Sequence, residues 1–193
     1  MNYPVSEIFA SIQGEGFWTG RPAVFVRLAG CNLACPWCDT DHAMREELSE
    51  LDIVARVLGM MEPGGDFVVL TGGEPTIHPL KALLNALRRA GLFVAIETNG
   101  TGLHGIPPSC KYWLTVSPKA GIEYRYLWGN EIKVVLDGKI DPHDFRSRFG
   151  SFFPQGNWFI QPCSGQFLPA IEYVRRNPWW RLSLQTQKLV GLR

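Results

Sequence analysis

What this chain has little of narrows the reading first. Its 19 Lys and Arg stand against 18 Asp and Glu, so it carries almost no net charge of either sign. Basic residues cluster only in short pairs, Arg88-Arg89 and Arg175-Arg176, which suit solvated helix ends, so no nucleic-acid partner is expected. No stretch approaches the roughly 20 apolar residues of a membrane span. The opening "MNYPVSEIFASIQGEG" lacks the basic segment and apolar run of a secretory leader. The expectation is a cytoplasmic protein with no membrane partner. Cysteine is scarce, five in 193 residues. In a reducing compartment, thiols serve metal binding or redox chemistry more often than disulfides, so their placement matters.

What is present is a globular chain, 46% hydrophobic, read as one domain over residues 1–193. Short β-rich runs recur: "AVFVRL" (23–28), "FVVLT" (67–71), "FVAIE" (93–97), "YWLTV" (112–116), "EIKVVL" (131–136), "NWFIQ" (157–161) and "RLSLQ" (181–185). Most are bounded by Gly, Pro or Asn, as strands are. Amphipathic helices fall between some of them. In "SELDIVARVLGMM", Ser49 caps with Asp52 three residues on, and Leu51, Val54, Val57, Leu58 and Met61 form an apolar stripe. In "HPLKALLNALRRAGL", Pro79 suits the first turn, Leu80, Leu83, Leu84 and Leu87 share a face, and Gly91 ends the helix. A third helix, "LPAIEYVRRN", has Pro169 at its start. Strands alternating with helices imply βαβ units and a parallel sheet. The links "GTGLHGIPPSCK" and "SPKAGIEYRYLWGN" are too rich in breakers for crossover helices. The expected fold is α/β, a trimmed (β/α) barrel with strands complete and some helices lost.

The unusual polar residues all lie just past strand ends: the cysteines after the first strand, "GGEPTIH" after the second, "TNG" after the third, "SPK" after the fourth and "QPCSG" after the sixth. In a parallel barrel these ends converge on one face, where active sites are built. Three cysteines, Cys31, Cys35 and Cys38, fall within eight positions in "GCNLACPWCDTDH". Three thiolates could bind zinc with a fourth ligand from elsewhere, His42 being near enough to consider. They could instead hold a four-iron, four-sulfur cluster through three irons, leaving one iron open to a small molecule. No second Cys-x-x-Cys exists, and the open cluster is the better reading.

"CNLACPWC", followed by Gly-Gly-Glu-Pro at 72–75, resembles the radical S-adenosylmethionine (SAM) enzymes. The resemblance implies a partial (β/α)6-type barrel, a [4Fe-4S] cluster on Cys31, Cys35 and Cys38, and SAM bound at the open iron. Trp37 then matches the residue beside the adenine, with Cys38 and Asp39 in the same loop. Backbone groups of Gly72, Gly73 and Glu74 match the methionine ammonium site. Ser117, Pro118 and Lys119 match ribose and carboxylate contacts, and Gln161, Pro162, Cys163 and Ser164 a further SAM contact.

A narrower resemblance spans nearly the whole chain. "EIFASIQGEGFWTGRPAVFVRLAGCNLACPWCDT", "TGGEP", "ETNGT", "SPK" and "LSLQTQKLVGLR" are similar to the 7-carboxy-7-deazaguanine synthases. That family contracts 6-carboxy-5,6,7,8-tetrahydropterin to 7-carboxy-7-deazaguanine with loss of ammonia, on the route to queuosine and related deazapurines. The resemblance implies a magnesium ion held by Thr40, and substrate contacts at Ile12, Gln13, Gly14, Glu15, Arg27, Thr71 and the terminal carboxylate of Arg193. It also implies an external electron donor such as a flavodoxin, and a homodimer. The residues speak to some of this independently. Arg27 interrupts "AVFVRL" on the same side as Phe25, where an unpaired inward guanidinium would need an anion such as a substrate carboxylate. Gln13 and Glu15 offer acceptors and donors to a flat amide and amino edge. No side chain stands out as a catalytic acid or base. The tail departs from the family pattern, reading Gln187-Lys188 where His-Lys is usual. Two other classes remain: a radical SAM activase acting on a partner protein, and a non-catalytic iron-sulfur electron carrier.

Overall fold

The computed structural model describes residues 1–102, 106, 111–124, 127–153 and 156–192. Among the described residues one sheet holds nine strands, β1 (Asn2–Ile12), β2 (Pro22–Leu28), β3 (Glu46–Ser49) and β4 to β9 following in chain order, arranged β3-β1-β2-β4-β5-β6-β7-β8-β9. The parallel set is β2 (Pro22–Leu28), β4 (Phe67–Gly72), β5 (Phe93–Thr98), β6 (Trp113–Val116), β7 (Glu131–Leu136), β8 (Trp158–Pro162) and β9 (Arg181–Leu182). Six of the seven expected strands hold their length within a residue or two. The last is a correction: of 181–185 only two residues pair, on β8, the strand's one neighbour in the sheet.

An antiparallel wing precedes the parallel set. The 11-residue β1 (Asn2–Ile12) pairs with both β2 and β3 (Glu46–Ser49). Neither wing strand is evident in the sequence pattern. In β1 the register slips between Val5 and Glu7, and such a bulge breaks the alternation by which a half-buried strand is recognised.

Helix α1 (Glu50–Met60) carries the expected capping box between Ser49 and Asp52. Its buried face keeps three members of the expected stripe, Val57 buried and Val54 and Met61 packed against the core, and adds Ile53; Leu51 and Leu58 are the corrections, 71% and 47% exposed. Helix α2 (Lys81–Arg89) buries Leu83, Leu84 and Leu87 behind Leu80, and Gly91 follows with positive φ, as expected. The Tyr3 hydroxyl donates to Pro79 O (3.1 Å) and accepts from Leu83 N (3.3 Å), fixing this helix to β1. Between β7 and β8 lies α3 (Pro142–Phe149), which the sequence reading did not include; Asp141 caps it and Phe145 and Phe149 anchor it. Helix α4 (Phe167–Arg176) begins two residues before Pro169. A short α5 (Thr186–Leu189) ends the described chain. No helix among the described residues is long and apolar enough to cross a membrane.

Side-chain alternation splits the sheet into two faces. Val68, Leu70, Val94, Ile96, Leu114, Ile132, Val134 and Ile160 pack on the helices as the main core. The opposite, concave face carries Ala23, Phe67, Phe93 and Trp113 at the beginning of the strands. There Trp18 lies edge-on to Phe93 and Trp113, and the Arg21 guanidinium sits 4.4 Å from the Phe67 ring centre. This aromatic plug fills the concave face at the amino ends of the strands. At their carboxyl ends the same face is a cavity. The sheet stays open between β3 and β9, and the tail crosses this seam. Ser183 Oγ accepts from Gly16 N (2.9 Å), and the Thr186 N–H and hydroxyl both donate to Gly14 O (3.0 Å each).

Candidate active site

Strand geometry alone brings the loops together. A cavity of about 920 Å3 opens where β2, β4, β5, β6, β7 and β8 end, and its wall includes all five loops singled out in the sequence. Cys31, Cys35 and Cys38 all line it and none is in a disulfide. Burial pushes the Cys35 thiol up, the Lys119 ammonium pulls against that, and Cys38 and Cys31 push it further, so the three sulfurs lie within electrostatic reach of one another. Among the described residues no three His, Cys, Asp or Glu side chains gather around a single-ion site.

The loop after β4 is shaped by its contact with the cysteine loop. A Cβ on Gly72 would stand 2.4 Å from Leu28 O, and one on Gly73 would stand 2.3 Å from Gly30 O and 2.7 Å from Cys31 Cβ. Only glycine allows this approach. The N–H groups of Gly73 and Glu74 are committed to Leu28 O (3.3 Å) and Gly30 O (2.9 Å). What this loop can offer an ammonium is therefore carbonyl oxygen. The Glu74 side chain turns inward and is 1% exposed. It accepts from Thr76 N (3.0 Å), Thr76 Oγ1 (2.5 Å), Thr98 Oγ1 (2.6 Å) and Asn99 N (2.6 Å), tying the ends of β4 and β5 together.

Across the cavity, Lys119 Nζ donates to Ser117 O (2.7 Å) and sits 5.4 Å from the centre of the Trp37 ring. Burial pulls its ammonium below the usual lysine range, partly offset by Cys35. The Trp37 indole N–H donates to Asp137 Oδ2 (3.2 Å), which fixes the ring. Gln161, Pro162, Cys163 and Ser164 line the β8 side. Gln161 Oε1 is buried with no partner, and Ser164 has φ of 47°, unique among described non-glycine residues. An orphaned acceptor and a strained residue three positions on, both lining the cavity, suit a contact surface for a ligand.

The wall beneath the mouth differs from expectation. Arg27 lines the cavity, but it is not an unpaired cation: its Nε donates to Glu7 Oε1 (2.7 Å), on the unforeseen β1, and its Nη1 to Gly72 O (3.5 Å). Thr71 stands beside it, in register across β2 and β4. Gln13 and Glu15 line the wall, whereas Ile12, Gly14 and Pro118 do not. Ile12 is 37% exposed, and the space above Gly14 is filled by Gln187, whose backbone N would lie 2.7 Å from a Cβ there. Arg193 lies outside the described residues, as does Cys110, expected to be a buried or idle thiol. Asp39 and Thr40 line the mouth, where the Thr40 hydroxyl donates to Asp39 Oδ1 (3.4 Å) and Lys188 pairs with Asp39 Oδ2.

Sequence reading passed over Glu97 and Lys133. Lys133 Nζ lies 2.5 Å from Glu15 Oε2 and 3.0 Å from Glu97 Oε2. Gln13 Nε2 donates to Glu97 Oε1 (3.3 Å) and Gln185 Nε2 to Glu15 Oε1 (2.8 Å). Burial alone would raise the Glu15 carboxyl, but the Lys133 charge and hydrogen bonds outweigh it and hold it low. Glu97 goes the other way: burial, reinforced by Glu15, raises it despite Lys133. The signal was available. A charged residue at the inward position of "FVAIE" and of "EIKVVL" is the same anomaly that singled out Arg27.

A three-cysteine cavity at the carboxyl ends of a partial parallel barrel defines a radical SAM protein, and a family model described as the Radical SAM superfamily matches residues 26–110. Over 191 residues the chain is 41% identical to the 7-carboxy-7-deazaguanine synthase of Bacteroides thetaiotaomicron, covering 98% of both proteins. It is 38% identical to the enzyme of that name from Escherichia coli K12, covering all of both. A crystal structure of QueE from Escherichia coli superposes with a TM-score of 0.77 at 31% identity, covering 95% of this chain and 94% of that one. The chain belongs to the 7-carboxy-7-deazaguanine synthase family.

Proposed function

We propose that this protein is a radical SAM lyase that converts 6-carboxy-5,6,7,8-tetrahydropterin to 7-carboxy-7-deazaguanine with release of ammonia. The observation that carries the reading is one cavity lined by three free cysteines together with Arg27, Gln13, Glu15 and Glu97, a cation and acceptors that suit a flat, acid-bearing ring. A [4Fe-4S] cluster and SAM, when bound, would supply the one-electron chemistry that removes a hydrogen atom from the substrate. The residues fit that cofactor pair. Cys31, Cys35 and Cys38 supply three thiolates to the cluster. Carbonyls of the Gly72–Glu74 loop suit the SAM ammonium, Lys119 its carboxylate, Trp37 the adenine, and the Gln161 to Ser164 strand end the rest.

For the substrate, Arg27 offers a guanidinium whose orientation Glu7 fixes, suited to a ring carboxylate. Gln13, Glu15 and Glu97 offer acceptors to amino and amide N–H groups, with Thr71 between. A magnesium ion would find the Thr40 hydroxyl beside Asp39, a fit for an ion that takes oxygen donors and keeps waters. Arg193, at the chain end, is assigned to the substrate by resemblance alone. No side chain is assigned as acid or base; positioning and exclusion of water are the protein's share.

With three of five cysteines in one motif, a second four-cysteine cluster cannot be built, so the electron comes from an external carrier such as a flavodoxin. Exposed Trp179 and Leu168 favour a homodimer. The test is anaerobic reconstitution with iron and sulfide, then incubation with SAM, dithionite and the carboxytetrahydropterin. The deazapurine acid should form. SAM cleavage without that product would sink the substrate assignment, and zinc uptake in place of iron would sink the cofactor assignment.

A further inference from the structure

The Glu15–Lys133–Glu97 bridge in the cavity wall centres on Lys133, a buried charge to which the substrate and cofactor assignments give no role although they use both of its glutamates. Its three members come from three separate elements: Glu15 from the turn between β1 and β2, Glu97 from β5, and Lys133 from the middle of β7. The Lys133 side chain is 5% exposed, against 17% for Glu15 and 20% for Glu97. The carboxylates therefore stand nearer to solvent than the ammonium that joins them. Each carboxylate has a second anchor, Gln185 on Glu15 and Gln13 on Glu97. Two carboxylates sharing one site repel, and without a cation between them one must take up a proton or both must move apart. The ammonium opposes both.

We infer that Lys133 is a positioning residue of this enzyme: by bridging Glu15 and Glu97 from beneath, it sets the separation and ionisation of the two acceptors that meet the substrate's N–H edge. The inference rests on the substrate assignment proposed above. Lys133 acts through the glutamates, as a brace whose geometry decides whether two hydrogen bonds to a rigid planar ring can form together. A lysine suits the task because its ammonium is a compact charge with three donors, able to reach carboxylates on two sides.

The experiment compares parent and Lys133→Met, each reconstituted anaerobically, without reductant so that no turnover occurs. Calorimetry measures binding of SAM, then of the carboxytetrahydropterin to the SAM-loaded protein. Expected is a loss of roughly tenfold or more in pterin affinity, as befits removal of one member of a buried charge pair, with SAM affinity and iron content unchanged. In turnover, KM for the pterin should rise by the larger factor and kcat fall by the smaller. If Lys133→Met does not accumulate folded, Lys133→Arg decides the matter. It keeps the charge but replaces the point with a longer planar fork, and pterin affinity should still fall several-fold with SAM affinity intact. Unchanged pterin affinity in the folded variant overturns the inference. So does an equal loss of SAM affinity, which would make Lys133 a general scaffold residue. If the parent itself binds SAM but no pterin, the substrate assignment fails and the inference falls with it, a pattern distinct from either variant result.

Discussion

Replacing Gly73 with alanine tests whether contact between two loops sets the position of the cluster ligands. The new Cβ would meet Gly30 O at 2.3 Å, Cys31 Cβ at 2.7 Å and Gly30 C at 2.8 Å. All three are backbone or first side-chain atoms, so no flexible tip can swing aside. Reaching the 3.0 Å that real Cβ contacts keep demands a retreat of about 0.7 Å. Gly73 is held to Leu28 on the neighbouring strand, and the adjoining Glu74 by four hydrogen bonds, so the cysteine loop is the part that moves. Overpacking of this kind costs ~1–3 kcal/mol. A displacement approaching 1 Å in a positioning group can cost about a hundredfold in rate. The assay is iron content after anaerobic reconstitution, formation of 5'-deoxyadenosine from SAM, and a urea unfolding curve. Expected are lowered iron occupancy, cleavage slowed by roughly two orders of magnitude, and a modest loss of stability. Gly59→Ala is the control. Gly59 lies inside α1 with nothing within 4 Å of its added Cβ, so alanine should stabilise by up to about 1 kcal/mol and leave iron uptake unchanged. A Gly73→Ala protein with full iron and parental cleavage would refute the argument that this approach fixes the cluster site.

Further tests address the supports around that site. Glu131 is 2% exposed, and burial, then Glu97, push its carboxyl from 4.5 up to about 7. A folded pKa above the unfolded one means the neutral form is favoured in the fold, so this group lowers stability progressively as pH climbs from about 4.5 to 7, by roughly 3 kcal/mol in all. Its Oε2 accepts from Phe17 N and Trp113 Nε1 while Oε1 has no partner, so Glu131→Gln should keep both bonds and remove that loss. The variant should gain on the parent in urea titrations at pH 8 but not at pH 4, and equal gains at both would contradict the shift. Glu74→Ala removes four hydrogen bonds in a buried site and should cost ~3 kcal/mol or more, read as a lower urea midpoint. Cys163 lines the cavity beside Ser164 but lies outside the three-cysteine motif. Cys163→Ser should therefore keep parental iron content, whereas Cys35→Ser should lose the cluster; equal losses would mean a fourth thiolate takes part.

The parallel part of the fold was legible because its strands are short, apolar and bounded by breakers, and because α2 repeats leucine at helical spacing under a clear stop at Gly91. The wing was not. In "NYPVSEIFASI" the bulge between Val5 and Glu7 moves the inward positions by one, so no single alternation runs through the strand. In α1 the stripe was displaced at one side for a related reason: Val54, Val57 and Met61 do pack on the core, but the buried face is extended by Ile53, and Leu51 and Leu58 are left in solvent. Apolar spacing gives the period of a helix and leaves its phase to tertiary packing. Helix α3 had its signals, an Asp141 cap and Pro142 at the first turn, but lay in the stretch between two strands to which no element was assigned.

The site divides in the same way. Loops past strand ends were readable because parallel topology leaves them one place to meet. Side chains within the strands needed the alternation to be followed to its end. On β2, β5 and β7 the inward row runs from an apolar or buried layer at the plug to Arg27, Glu97 and Lys133 at the cavity, while the outward row is apolar up to Thr98 at the end of β5. Each of these three forms its ion pair with another element, Glu7 of β1 for Arg27, the turn after β1 for Lys133, and Lys133 for Glu97, although Glu131 on β7 also acts on Lys133 along its own strand. The antiparallel wing therefore does more than widen the sheet. It carries Glu7 and leads to Glu15, and so supplies the anions that allow two cations to stay ionised inside the barrel.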